Sequence, residues 1–317
     1  MGEVFAGRYE LVDVLGAGGM GTVWRVWDVR HRTYRAAKML RQSEGEALLR
    51  FVRESGTRVD HPHVVAPTGW SAEDERVLFA MPLVAGGSVA TLMADHGPLP
   101  TAWVRDICLQ LLDALDAVHQ VGIVHRDVKP ANLLLEPTGT GRPHVLLSDF
   151  GIAVQVDQPR LTRASDLVLT PGYAAPEVMG GADPDHRQDL YSVGRVLEEL
   201  TTGVAPDPVS PAQPVTGPLA SVHAGLVASD PSARFGSAAE AREALRAVVV
   251  PEPQGEPVEV FDQLPALPSG WTAEGPAGSS ESARRARRAT AFSGQRAAAV
   301  GLAALGVVLL ALAVLTL

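Results

Sequence analysis

The sequence predicts an α+β fold in two lobes, a small one built on an antiparallel sheet and a larger one built mostly from helices, with a single apolar span closing the chain. Apolar residues alternate along residues 9–15, 22–27 and 34–40, as they do in short strands that bury one face, and glycines and charges separate the three runs. Over residues 102–121 the apolar positions Trp103, Ile107, Leu111, Leu115 and Val118 recur at helical spacing, which sets one face of a long helix against a core. The last twenty-one residues, 297–317, carry no charge, and at 1.5 Å per residue such a helix just crosses a hydrocarbon layer about 30 Å thick. With 317 residues, 46% apolar and 20% charged, the chain has enough core for two domains or one large bilobed one.

The remaining elements follow in order. Residues 46–55 read as a helix, and residues 77–81 as a strand that runs into Pro82 and the Gly86, Gly87 pair, where the chain turns between lobes. The long helix delivers the chain to His125. Residues 145–147 form a brief strand before Asp149, and residues 189–201 a buried helix. Ser237, Ala238, Ala239 and Glu240 make a capping box that opens a last helix ending near Val249, so the folded domain is expected over residues 9–249. Residues 250–296 follow as a linker. From 251 to 280 proline, glycine, serine and glutamate dominate, a composition that reads as flexible and spans about 30 Å root mean square. Arg284, Arg285, Arg287 and Arg288 then precede the apolar span.

A formal charge of −9, with the basic residues of the tail set apart, argues against nucleic acid as a partner of the folded part. Cys108 is the only cysteine, which excludes an intrachain disulfide, fits a cytosolic folded part, and reads as a core thiol. Residues 1–9 lack the charged start and apolar run of a signal peptide. The uniform apolarity of 297–317 reads as a transmembrane helix, with the arginines before it on the cytoplasmic side and available to anionic lipid. A single-pass membrane protein with its folded part in the cytoplasm is the expectation. Ala297 and Gly301 form a small-xxx-small pair that allows a homodimer through the span.

Chemistry is concentrated in two runs, His125 to Asn132 and, seventeen residues later, Asp149, Phe150, Gly151. Phosphoryl transfer needs a carboxylate to orient the attacking hydroxyl, a cation for the moving phosphate and two oxygen ligands for Mg²⁺, and Asp127, Lys129, Asn132 and Asp149 fill those needs in that order. Upstream, Gly16, Ala17, Gly18, Gly19, Met20 and Gly21 sit between two strands, where backbone N–H groups can approach the phosphates of ATP. Val23 follows, and Ala36, Ala37 and Lys38 lie on the next strand, with the lysine in reach of the α and β phosphates.

With these motifs in place, residues 9–249 resemble a bacterial serine/threonine protein kinase of the eukaryotic-like type. The resemblance implies the bilobed protein-kinase fold with ATP and Mg²⁺ in the cleft. It makes Asp127 the catalytic base, puts Lys129 on the transferred phosphate and Asn132 and Asp149 on the metal. Leu15, Gly16, Gly18, Gly19, Gly21, Val23, Ala36 and Lys38 would surround the nucleotide, with Met81 as gatekeeper and Pro82 and Val84 offering backbone groups to adenine. Glu54, or Glu46 as its rival, is similar to the helical glutamate that pairs with the ATP lysine. Lys129 and Thr170 resemble serine/threonine rather than tyrosine kinases, so protein Ser/Thr hydroxyls are the implied substrates. Glu177, in Ala175, Pro176, Glu177, would pair with Arg234, and Asp189 would brace the catalytic loop. Arg126 precedes the base, and a phosphate on Thr162 or Ser165 could pair with it and order the activation loop. The chain departs from the family in short segments after Glu54 and between Gly203 and Asp230. Two alternatives stand beside active protein kinase: a catalytically weak, nucleotide-binding scaffold, and a small-molecule phosphotransferase.

Overall fold

The computed structural model describes residues 3–18, 21–41, 59–149, 154–155, 170, 172–207, 209–252 and 256–277, and structural statements concern these. The small lobe is one antiparallel sheet of six strands, β1 (Val4–Phe5), β2 (Tyr9–Gly18), β3 (Gly21–Asp28), β4 (Thr33–Arg41), β5 (Gly69–Glu73) and β6 (Arg76–Met81), in the order β1-β2-β3-β4-β6-β5. Alternation dictates its two faces. Tyr9, Leu11, Val26, Ala37, Leu78 and Ala80 pack with Phe5, while Leu40, Val77 and Phe79 cluster separately with Trp70. Because Val23 pairs with Lys38, Arg25 with Ala36, and Ala36 with Met81, these residues share one face, the one turned toward the large lobe.

In the large lobe α1 (Val89–His96) opens with a reciprocal cap in which Ser88 Oγ accepts from Thr91 N at 3.2 Å and Thr91 Oγ1 from Ser88 N at 3.0 Å. The long helix α2 (Thr101–Gln120) buries Trp103, Ile107, Leu111, Leu115 and Val118 as its periodicity requires, each aliphatic side chain contributing about 1.5–3 kcal/mol. Cys108 is fully buried there, and burial pushes its thiol up to about 12, in keeping with a core thiol. The chain then forms β7 (Ile123–Val124), a 3₁₀ turn (Pro130–Asn132), the hairpin of β8 (Leu133–Leu135) with β9 (Val145–Leu147), and β10 (Val154–Gln155), which pairs back onto β7. Helices α3 (Pro176–Met179), α4 (His186–Thr202), α5 (Ala220–Leu226) and α6 (Ala238–Arg246) complete the lobe.

Helix α4 starts three residues before the predicted 189, because Asp185 caps it by accepting from Arg187 N at 2.7 Å; it stops where Gly203 turns left-handed at φ +74°. At the start of α6 Ser237 accepts from Glu240 N at 3.1 Å as expected, but the Glu240 carboxylate takes Gly236 N at 2.6 Å, one residue upstream of the position a capping box uses. Between Gly203 and Asp230, α5 is the helix found among the described residues.

Residues 256–277 correct the flexible-linker reading. Val258 and Val260 are 6% and 1% exposed within the large-lobe core, Val260 and Gly139 exchange both backbone hydrogen bonds at 2.9 Å, and β11 (Trp271–Thr272) pairs with β12 (Gly275–Pro276). Composition misled because the free energy of ordering this segment does not come from its own hydrophobicity. Its few apolar residues meet surfaces that the two lobes already present. The helix expected over 46–55, the basic cluster and the span 297–317 lie outside the described residues. Among the described residues no helix is long and apolar enough to cross a membrane.

Candidate active site

Asp127 sits at the centre of a hydrogen-bonded group in the loop between β7 and β8. Lys129 Nζ lies 3.0 Å from Asp127 Oδ1 and 2.8 Å from Oδ2, and the Asn132 amide donates to Asp127 Oδ2 and to its backbone carbonyl, both at 2.8 Å. Thr170 joins them from the distal segment: its hydroxyl accepts from Lys129 Nζ at 2.6 Å and donates to Asp127 Oδ1 at 2.7 Å. The carboxylate is 2% exposed, so these bonds act with little screening by water.

The loop is positioned from below by Asp189 on α4. This fully buried carboxylate accepts from His125 N, Arg126 N and His119 Nε2, each at 2.8 Å. Burial pushes its pKa up, but the bond from His119 and those from the loop outweigh it and hold the group below the usual carboxylate range. His125 is fixed on both ring nitrogens: Nε2 faces the Ser148 carbonyl at 3.0 Å and Nδ1 faces Asp127 N at 3.3 Å. A carbonyl can only accept and an N–H can only donate, so the ring is the neutral Nε2–H tautomer, and burial pushes its pKa down in agreement. Arg126 and Asp149 both take φ +67°, a left-handed conformation costing on the order of 1–3 kcal/mol in a non-glycine residue, which this network sustains.

The β8–β9 hairpin brings the second motif to the first. Leu133 pairs with Leu147, Ser148 N and Oγ both donate to the Asn132 carbonyl at 2.9 Å, and Asp149 therefore emerges beside Asn132. Across the cleft, Lys38 Nζ from β4 forms an ion pair with Asp149 Oδ1. The cleft has a volume of about 720 Å³, and Leu15, Gly16, Val23, Ala36, Lys38, Met81, Val84, Asn132 and Asp149 line it together. Gly18 and Gly21 end β2 and begin β3 above it. Gly21 has φ +117°, and an added Cβ would meet the Met39 carbonyl oxygen at 2.4 Å, so only glycine fits there. Gly19, Glu54, Phe150, Gly151, Thr162 and Ser165 lie outside the described residues.

Arg234 is fully buried and reaches Glu177 with two parallel bonds of 2.8 and 2.9 Å while its other N–H groups bond the carbonyls of Ala228 and Arg187. Sequence reasoning missed several lining residues, among them Ser88, Thr91 and Leu134 and, from the segment read as linker, Gln263, Leu264 and Pro265. The alternation of buried Val258 and Val260 was the available signal.

As to what could be held here, the Asn132 amide nitrogen must face the two acceptors on Asp127, which leaves its Oδ1 as a ligand, and Asp149 keeps carboxylate oxygen at the cleft wall. Two hard oxygen donors beside a phosphate-sized space suit Mg²⁺, which takes one or two protein oxygens plus phosphate and water. The two-lobed fold and this site define a phosphotransferase of the protein kinase class. Sequence comparison agrees: the protein kinase domain family matches residues 9–216, well over half the chain, and the chain belongs to it. It is 37% identical over 215 residues to the serine/threonine-protein kinase PkaA of Streptomyces coelicolor, covering 63% of this chain and 39% of that one. It is 40% identical over 210 residues to PknJ of Mycobacterium tuberculosis (65% and 35%) and 34% identical over 284 residues to PknB of Mycobacterium leprae (80% and 45%), both also serine/threonine-protein kinases. The chain spans less than half the length of each of these relatives.

Proposed function

We propose that this kinase transfers the γ-phosphoryl group of ATP to serine and threonine hydroxyls of proteins. The observation that carries this reading is the Thr170 hydroxyl, which donates into Asp127 Oδ1 while Lys129 donates to it. An incoming substrate hydroxyl needs the same acceptor for its proton, and Asp127 is oriented to provide it. Lys129 supplies positive charge beside the transferred group, and Lys38 reaches the phosphates from the other wall. Asn132 and Asp149 would hold Mg²⁺, which when bound neutralises charge on the phosphates. The neutral His125 keeps the loop backbone in register without adding charge to the site.

The finer reading concerns setting and control. Thr162 or Ser165 is the proposed autophosphorylation site, with Arg126 receiving the phosphate. Residues 297–317 are proposed as a membrane anchor with the kinase on the cytoplasmic face, supported by twenty-one uncharged residues that follow Arg284, Arg285, Arg287, Arg288 and Arg296. Full-length protein incubated with labelled ATP and Mg²⁺, beside Asp127→Asn, tests the chemistry. Label on Ser or Thr of the parent alone is expected. Nucleotide binding with no transfer to itself or to a generic basic protein would overturn the reading in favour of a scaffold. Release of the chain from membranes by carbonate would refute the anchor.

A further inference from the structure

The segment 256–277 touches three parts of the molecule: the large lobe, the connection between the lobes and the small lobe. On the large lobe Val260 is hydrogen-bonded to Gly139. At the connection between lobes Gln263 N donates to the Ala85 carbonyl at 2.8 Å. On the small lobe the buried Arg25, already paired with Asp13, donates Nη2 to the carbonyls of Pro265 and Ala266 at 3.0 and 3.4 Å. Farther along, Tyr34 Oη donates to the Thr272 carbonyl at 2.5 Å, its ring packs 6.2 Å from that of Trp271, and Gly275 lies flat on Trp27.

Where the segment crosses the interlobe connection it enters the cleft. Gln263, Leu264 and Pro265 line the same space as Met81, Val84 and Lys38. The Gln263 side chain lies over Gly87, where an added Cβ would stand 2.2 Å from its Oε1, so the glycine that turns the chain also makes room for this amide. The entry is at the Ala85 end of the cleft, away from the ion pair of Lys38 with Asp149.

We propose that residues 258–277 form a built-in strap that completes the nucleotide site, with Gln263 and Leu264 contacting the nucleoside end of the bound nucleoside triphosphate, so that nucleotide affinity depends on docking of the strap. This rests on the ATP reading above. Two consequences separate the strap from ordinary surface packing. Because it contacts the nucleoside end, its loss weakens adenosine and ATP by the same factor and leaves inorganic tripolyphosphate unaffected. Because its three anchors act together, undocking it at one end removes what Gln263 contributes at another.

The test measures binding of ATP, adenosine and tripolyphosphate to the full-length chain and to two variants. Gln263→Ala removes the amide alone. Gly275→Val places a side chain where φ is +109° and where its Cβ would meet Trp27 Cζ2 at 2.6 Å, which undocks the small-lobe end far from the cleft. Each is expected to weaken ATP and adenosine about threefold to tenfold, the worth of one or two hydrogen bonds, and to raise KM for ATP with kcat kept. The double variant is expected to match Gly275→Val. If the parent binds ATP but Gln263→Ala binds adenosine as the parent does, the strap proposal is overturned and the ATP reading stands. If the parent binds no nucleotide, the ATP reading falls and the strap with it.

Discussion

On the large-lobe wall of the cleft each functional group hangs from a buried polar anchor: Asp189 holds the backbone of His125 and Arg126, His125 spans Ser148 and Asp127, and Asp127 gathers Lys129, Asn132 and Thr170. On the small-lobe wall Val23, Ala36 and Lys38 are placed by strand register, with Met81 opposite Ala36 on the neighbouring strand. The difference teaches where precision is stored. A polar network that excludes water fails as a unit when one member is removed, since partners are left buried and unsatisfied. An apolar wall set by register yields by the size of the group deleted.

Substitutions can break that contrast. The largest effect is expected for Asp127→Asn, which removes the proposed proton acceptor and should lower the transfer rate about 10²–10⁴-fold in a single-turnover assay while nucleotide affinity is kept. Next comes Asp189→Asn. Its single amide oxygen cannot serve three donors, so denaturant unfolding should show a loss of about 2–4 kcal/mol, with activity falling further than the unfolded fraction explains. A loss below about 1 kcal/mol would mean the loop is held by packing and the contrast is false.

A smaller effect distinguishes buried titration from the site itself. His223 is pushed down to about 4 by burial and by Arg195; Glu198, 3.9 Å away, lies beyond hydrogen-bond reach. The unfolded imidazole binds a proton below about 6.5 and the folded one only below about 4, so between those values the unfolded state holds more protons and stability falls as pH falls. Thermal unfolding should show this limb, and His223→Gln should flatten it by on the order of 1 kcal/mol after screening. The smallest effect belongs to the register-set wall: Val23→Ala should weaken nucleotide binding about twofold to fivefold in calorimetry and leave Tm nearly unchanged.

The sequence revealed the two walls unequally. Alternation in β2, β3 and β4 and the periodicity of α2 placed the sheet and the long helix within a few residues, because the apolar pattern in each runs over two or more turns or over most of a strand. The motif spacing pointed to Asn132 and Asp149, which line one cleft, and to Asp127, which is hydrogen-bonded to Asn132 beside it. Short elements stayed invisible: β5 carries Gly69, Ser71 and Glu73, and α5 spans seven residues, so neither holds enough period to register. The orientation of His125 was equally hidden, since it depends on a carbonyl twenty-three positions away. The strap was misread because composition averages over the few side chains that dock it.

The covered small-lobe aromatics have a practical consequence. A shortened protein ending at Val249, the boundary that sequence alone suggests, would bare the faces of Trp27 and Tyr34, which meet Gly275, Trp271 and Thr272 in the intact chain. It would also empty the core positions of Val258 and Val260. Exposed aromatic surface of this kind drives self-association, so such a fragment would be sticky at high concentration although its catalytic loop is complete.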